Sequence, residues 1–366
     1  MHKDLVSLQS KGSKSGKEEP SLTTTTTTTS DSPVFPSLEL LEEDAVQESN
    51  IAAMLSPAST LAEARQSIQL IQHYTEKNNN DSNAAAIQLK TTVGVHPYHV
   101  NDNTVDTAQD QYTHWKDLAE SNRDIVTAIG ECGLDYSDGF PPRDDQLPWF
   151  RQQVLLAREL RMPLFVHERL AHDDVLSILD EILGHDDDDD DNNNNDNDGT
   201  TTTTASSSSS SIPVLIHCFT GTVADCRRYI ERGYYISISG FVQKKETAAE
   251  VQRCLAERII PLDRLMVETD APYMGFAGCR QLYVDKYADT FVASLNSKKK
   301  KRLVNSTYPN VPSALPLVLD KVVECLNEQV GTDDSSCSEH PVWTKEQVAE
   351  ATTRNAAKFF GFDVQV

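Results

Sequence analysis

Short apolar runs recur along the chain and stop on side chains able to bind a metal or move a proton. "TTVGVHPYH" ends such a run on His96, "IVTAIGECGLDY" on Glu131 and "MPLFVHER" on His167. "IPVLIHCFTG" ends one on His217, and "DRLMVETDAP" ends one on Asp270, after Glu268 and Thr269. Continuous apolar runs bounded by turn residues read as strands buried on both faces, the mark of a parallel sheet. Between them lie segments of helical length and period. Leu61, Ala64, Ile68 and Ile71 share a face, as do Leu147, Phe150, Val154 and Ala157, and Val175, Leu179 and Ile182. Strand, polar end, helix, strand is the grammar of a β/α protein whose site lies at the C-terminal ends of its strands.

Seven strands are expected, at 51–55, 91–95, 126–130, 163–166, 213–216, 234–239 and 264–269. A closed (β/α)8 TIM-type barrel needs eight, so the expected fold is such an α/β barrel with its first strand missing or incomplete. In a genuinely degenerate, open barrel the strand edges at 51–55 and 264–269 would be exposed. Residues 1–36 are Ser/Thr-rich low-complexity sequence and read as a disordered tail. A helical pattern begins over 37–47. The barrel is expected over 37–366, interrupted by a disordered insertion at 185–211, "HDDDDDDNNNNDNDGTTTTTASSSSSS". That insertion follows a helix and precedes a strand, the end of a barrel opposite the chemistry, where long loops are tolerated. At the other terminus Thr344 and Gln347 form a capping box, and Val348, Ala351 and Asn355 share a face of the last helix.

The net charge of −23 over 366 residues is partly local, because eight Asp fall within 186–198. This is not the basic footprint of a groove-binding protein, so bound cations or a local basic stretch must attract any polyanion. One such stretch exists, "KKKKR" at 298–302. It lies after the last strand, hence on the catalytic face, and reads as a phosphate contact, a nuclear localisation signal or a solvated charge run. Seven scattered cysteines with no C-x-x-C pair imply free thiols in a reducing compartment. No apolar run approaches the roughly 18 residues of a membrane span. The expectation is an intracellular protein of cytoplasm or nucleus, with an organelle as the alternative, not membrane-bound and monomeric.

Glu131, His167, His217 and Asp270 are an N/O ligand inventory for a divalent metal. Each ends a different strand, so a barrel brings all four to one mouth. Glu131 can bridge two cations, and His167 and His217 can hold one as neutral imidazoles. Asp270 can bind a second ion, orient the water or take its proton. One or two such ions suit hydrolysis of a phosphodiester. Cys132 and Cys218 each follow a ligand on its strand, and strand alternation turns both away from the mouth.

"GVHPYH", "AIGECGLDY", "PLFVHER", "LIHCFTG", "YYISISG", "PLDRLMVETDAPYM" and "RNAAKFFGF" occur in this order. Together they resemble the TatD-type metal-dependent deoxyribonucleases, within the wider amidohydrolase-like barrels, and the eukaryotic members more than the bacterial ones. The resemblance runs from Ile51 to Phe362, broken by the insertion and looser over 276–310. It implies a (β/α)8 barrel that hydrolyses DNA phosphodiesters, often as a 3′–5′ exonuclease, with Mg²⁺, Mn²⁺ or Zn²⁺. It places Glu131, His167, His217 and Asp270 at ligand positions, and His96 and Arg169 as contacts to the phosphate or to the ligands. The family also opens with a strand ending in a His-x-His pair, and none of the ten histidines here forms one. Two expectations follow. Either the N-terminus is incomplete, or the barrel keeps one metal site and is catalytically impaired with a binding role. The other alternative is a related barrel hydrolase of a small amide or ester.

Overall fold

The structure, a computed structural model, describes residues 49–79, 87–102, 107–184, 212–289, 291–328 and 341–364. The expected tail (1–36), the helical pattern over 37–47 and the insertion (185–211) lie outside the described residues.

All seven expected strands form. They are β1 (Ala53–Ser56), β2 (Gln88–Val93), β3 (Val126–Asp135), β4 (Leu164–Arg169), β5 (Val214–His217), β6 (Tyr235–Ile238) and β7 (Leu265–Val267). They pair in parallel and in chain order into one sheet, β1 to β7. Helices α1 (Leu61–Asn79), α2 (Ala108–Ser121), α3 (Arg143–Leu160), α4 (His172–Leu183), α5 (Val223–Glu231) and α6 (Ala249–Ala256) make the crossovers. Beyond β7 come α7 (Gln281–Lys286), a single turn at Phe291–Ser294, α8 (Ser297–Asn305), α9 (Leu315–Leu326) and α10 (Lys345–Phe360). No described helix is long and apolar enough to cross a membrane. The six described cysteines are unpaired and buried.

Several strand boundaries shift from expectation, β2 to Gln88–Val93 and β4 to Leu164–Arg169 among them, and two of the shifts have clear local reasons. β3 continues past residue 130 to Asp135, because the glycines of "GECG" let its backbone run close against β4. β7 stops at Val267, short of 269, and the backbone then turns, with Asp270 at φ 54°.

Strand alternation separates two layers. The helices cover the outer one. The inner one takes one residue from each of β3 to β7, Ala128, Phe165, Leu215, Tyr235 and Met266, with Phe359 and Phe360 from the end of α10 packed against them. This helix also deals with the seam between β1 and β7, across which no strand pair forms among the described residues. Asn355 donates from Nδ2 to the carbonyls of Leu262 (2.9 Å) and Leu265 (2.7 Å) beside β7. Eight residues on, the Asp363 amide donates to Gln88 Oε1 of β2 at 2.9 Å. The start of α9 closes the other side, where Leu315 packs with Ile51, Ile87 and Met54. The residues of β1 are half-buried, and among the described residues β1 pairs only with β2. Thr344 caps α10 reciprocally with Gln347, as its sequence implies.

Candidate metal centre

Local backbone chemistry sets Glu131 at the barrel mouth. It lies between Gly130 (φ 142°) and Gly133 (φ 148°), at a register shift in the β3–β4 ladder. A Cβ on Gly130 would stand 2.3 Å from the Phe165 carbonyl oxygen, and one on Gly133 would stand 1.8 Å from that of His167. Only glycine permits so close an approach at these angles, and the resulting bulge re-aims the residue between them.

Three imidazoles converge on one oxygen of this carboxylate. From Glu131 Oε1 the distances are 2.8 Å to His217 Nε2, 3.3 Å to His167 Nδ1 and 3.4 Å to His96 Nε2. Beneath them is the apolar inner layer, with the Phe165 ring stacked on His217 at 4.3 Å. Donor atoms of His96, Glu131 and His167 all lie within 4.8 Å of one another, the one such group among the described residues. For comparison, bonds of about 2.0–2.1 Å at tetrahedral angles separate neighbouring ligand atoms by about 3.3 Å.

The outward nitrogens distinguish the histidines. His167 Nε2 meets Asp135 Oδ2 at 2.9 Å, and Asp135 is 1% exposed. His217 Nδ1 faces Glu268 Oε1 at 3.6 Å, a buried oxygen with no hydrogen-bond partner among the described residues. A carboxylate behind the far nitrogen orients a ligating imidazole and decides which nitrogen binds. His96 is arranged the other way. Its Nδ1 accepts from the Tyr98 amide at 3.1 Å, so the proton of the neutral ring sits on Nε2, the atom directed into the site. That makes His96 a hydrogen-bond donor to whatever occupies the mouth.

Burial alone would raise the Glu131 carboxyl, but His217, His96 and the hydrogen bonds of His167 and His217 hold it well below the usual carboxylate range. Burial works to lower His217 and His167; Glu131, Glu268 and Asp135 overcome it and raise both. His96 has too little compensation, and burial takes it down to about 3, keeping it neutral. Asp270 is pushed up to about 7, first by burial, with Glu268 and Glu131 adding and His217 opposing. A buried, ionised carboxylate ringed by imidazoles two of which are backed by acids is a donor set that suits a borderline divalent cation.

Glu131, His167 and His217 thus come together, joined by His96. Asp270 lies beside them within the electrostatic reach of Glu131 and His217. Arg169 ends β4 with its side chain exposed. Asp135 and Glu268 were not anticipated as partners of the histidines, although strand alternation carried the signal. Asp135 stands four residues after Glu131, and Glu268 two before Asp270. Cys132 is packed in the outer core, as alternation predicts. Cys218 is not turned away: its φ of 48° breaks the pleat, and its thiol meets Ser239 Oγ at 3.2 Å and interacts with Asp270.

A parallel barrel whose strand ends gather imidazoles and carboxylates in this way is a metal-dependent hydrolase. The chain belongs to the TatD related DNase family, whose model matches residues 36–361. A curated relative, the 3'-5' ssDNA/RNA exonuclease TatD of Citrobacter rodentium, is 27% identical over 316 residues, covering 86% of this chain and 89% of the relative. The protein of the same name from Erwinia billingiae is 35% identical over 185 residues, covering 50% of this chain and 58% of its own. Among solved structures, a TatD family hydrolase from Entamoeba histolytica matches with a TM-score of 0.59 at 20% identity, covering 88% and 89% of the two chains. An uncharacterized amidohydrolase from Saccharomyces cerevisiae matches at 0.58 and 20%, covering 91% and 95%. These two likenesses establish the barrel fold.

Proposed function

We propose that this chain hydrolyses phosphodiester bonds of single-stranded DNA and RNA from the 3′ end, using one divalent ion held by His167, His217 and Glu131. The observation that carries the reading is the convergence on Glu131 Oε1 of imidazoles whose far nitrogens face Asp135 and Glu268. When bound, the ion polarises the phosphoryl oxygen and lowers the pKa of water to about 7. Two nitrogens and one carboxylate favour zinc or manganese over magnesium as that ion.

The chain's own groups divide the remaining work. Asp270, at about 7, accepts the proton of the attacking water near neutral pH. His96, neutral and protonated on Nε2, donates to a phosphate oxygen. Arg169, exposed at the end of β4, meets the phosphate charge from the solvent side. Asp135 and Glu268 hold the two ligating rings in place.

The relatives named as exonucleases support the substrate and the polarity. The test is a time course on single-stranded DNA and RNA labelled at either end, beside a panel of small esters and amides, with Asp270→Asn as control. Stepwise shortening from the 3′ end, lost on metal chelation and in the variant, is expected. Turnover of a small ester with no loss of oligonucleotide would replace this reading with that of a small-substrate hydrolase.

A further inference from the structure

Large apolar side chains are exposed at few described positions, and several of them stand at the barrel mouth. Tyr273 is 56% exposed and Tyr308 is 40% exposed, with ring centroids 6.3 Å apart. Tyr273 lies three residues beyond Asp270. Tyr308 is far along the chain but tied to the same place. The neighbouring Asn310 donates from Nδ2 to the Thr269 carbonyl and from its amide to the Pro272 carbonyl, both at 2.8 Å. Two partly exposed phenol rings are thus fastened to the strand end that carries the proton acceptor.

The same segment carries the strongest basic run of an acidic protein. Helix α8 ends three residues before Tyr308. Leu303 is its buried anchor, packed with Tyr283 and Val292. On the opposite side Lys298, Lys301 and Arg302 are exposed, at the i, i+3, i+4 spacing that aligns side chains along one face. The buried Arg280 guanidinium locks this helix to the tyrosine-bearing strap, donating to the carbonyls of Leu303 (2.8 Å), Ser306 and Pro309. Elsewhere on the surface several arginines are matched with acids, as in Arg143 with Asp174 and Arg232 with Asp180.

We infer that Tyr273, Tyr308 and the basic face of α8 form a track for single-stranded nucleic acid leading to the metal centre. The tyrosines stack on bases next to the scissile bond, and the α8 cations meet the phosphates further along. Aromatic faces followed by a cationic stripe match the chemistry of an unpaired strand, whose bases are open for stacking. The cations alone would equally suit an acidic protein; the ring pair beside the metal centre favours a ligand with flat faces to stack. This inference rests on the reading of the protein as a single-strand nuclease and deepens it.

The test is equilibrium binding, by fluorescence anisotropy, of full-length metal-loaded protein to single-stranded oligonucleotides whose 3′ linkages are phosphorothioates that resist cleavage. Each oligonucleotide is paired with one carrying abasic sites near the 3′ end. The wild type is expected to bind the base-bearing strand more tightly by roughly fivefold or more, the range of base–aromatic stacking. The double variant Tyr273→Ala/Tyr308→Ala is expected to lose that preference, and the Phe counterparts to keep it. Replacing Lys298, Lys301 and Arg302 with Gln is expected to reduce the slope of log affinity against log salt by about 0.7 for each phosphate that is no longer neutralised.

Equal weakening towards both oligonucleotides in the Tyr variants would overturn the stacking track. Unchanged affinity in both sets of variants would overturn it too, and leave this face to an acidic protein. Tight, base-dependent binding without any cleavage of ordinary strands would sink the nuclease reading and leave the track standing.

Discussion

Replacing Asp135 with Asn tests the logic of the metal centre without removing any proposed ligand. In the wild type, Asp135 Oδ2 holds His167 Nε2–H at 2.9 Å, and Oδ1 accepts from the Ser137 amide at 2.8 Å. The variant keeps an oxygen for Ser137 and turns an amide N–H₂ towards His167. The imidazole must then accept at Nε2 and carry its proton on Nδ1, the nitrogen directed at Glu131. A protonated nitrogen does not ligate. The loss includes the charge-assisted hydrogen bond itself, about 1.5–3 kcal/mol. Changes to carboxylates behind ligating histidines typically cost about 10–100-fold in metal affinity or activity, or about 1.4–2.7 kcal/mol. The two ranges agree, so a fall of about 10–100-fold in affinity for zinc or manganese is expected. Competition titration against a chelator reads it, and ¹⁵N NMR of the imidazole reports the tautomer. Unchanged affinity in a folded variant with the tautomer reversed would refute the assignment of His167 Nδ1 as a ligand atom.

Asp270→Asn is expected to lower strand hydrolysis by about 10²–10⁴-fold, the usual contribution of a general base. Burial sets the Asp270 carboxyl at about 7 and a bound cation would lower it, so wild-type kcat/KM is expected to rise with pH and level off at or below about 7, and stopped assays across pH 5–9 should show the limb vanish in the variant. Gly133→Ala would force a methyl against the His167 carbonyl oxygen at a φ of 148°; a loss of at least about 3 kcal/mol is expected in denaturant unfolding, since no L residue fits there. Arg280→Ala leaves the carbonyls of Leu303, Ser306 and Pro309 without their donor, at a cost of about 3 kcal/mol. That cost should appear as faster hydrogen exchange over 272–310, with protection in β3 and β4 retained.

Most of the strand framework was legible because β3 to β7 are largely buried on two faces and so read as apolar runs with abrupt polar ends. The run "PLFVHER" places β4 and His167 together, and "LIHCFTG" does the same for β5 and His217. The count of seven strands was also legible, since a missing apolar run is as visible as a present one. Less legible was where β3 ends. Its continuation to Asp135 depends on two glycines meeting the β4 backbone, a contact between strands that are remote in sequence. Cys218 was misplaced for a related reason. Alternation assumes an unbroken pleat, and the left-handed residue after His217 interrupts it.

What the sequence determined by itself is the set of groups and the layer each belongs to: Glu131, His167, His217 and Asp270 at strand ends, and the apolar residues below them. Periodicity carries that information because burial acts on each residue locally. The tertiary structure decided how the groups address one another. Which nitrogen of His167 faces Glu131 and which carboxylate stands behind His217 depend on contacts of 2.8–3.6 Å between different strands, and His96 stays neutral because the fold buries it. The covering of the β1–β7 seam also depends on such contacts, made by α9, α10 and the residues flanking them, where Ser313 and Asp363 bond to residues more than 200 positions away. Hydrogen bonding and electrostatics at these distances are set by relative placement in space, which no window along the chain encodes.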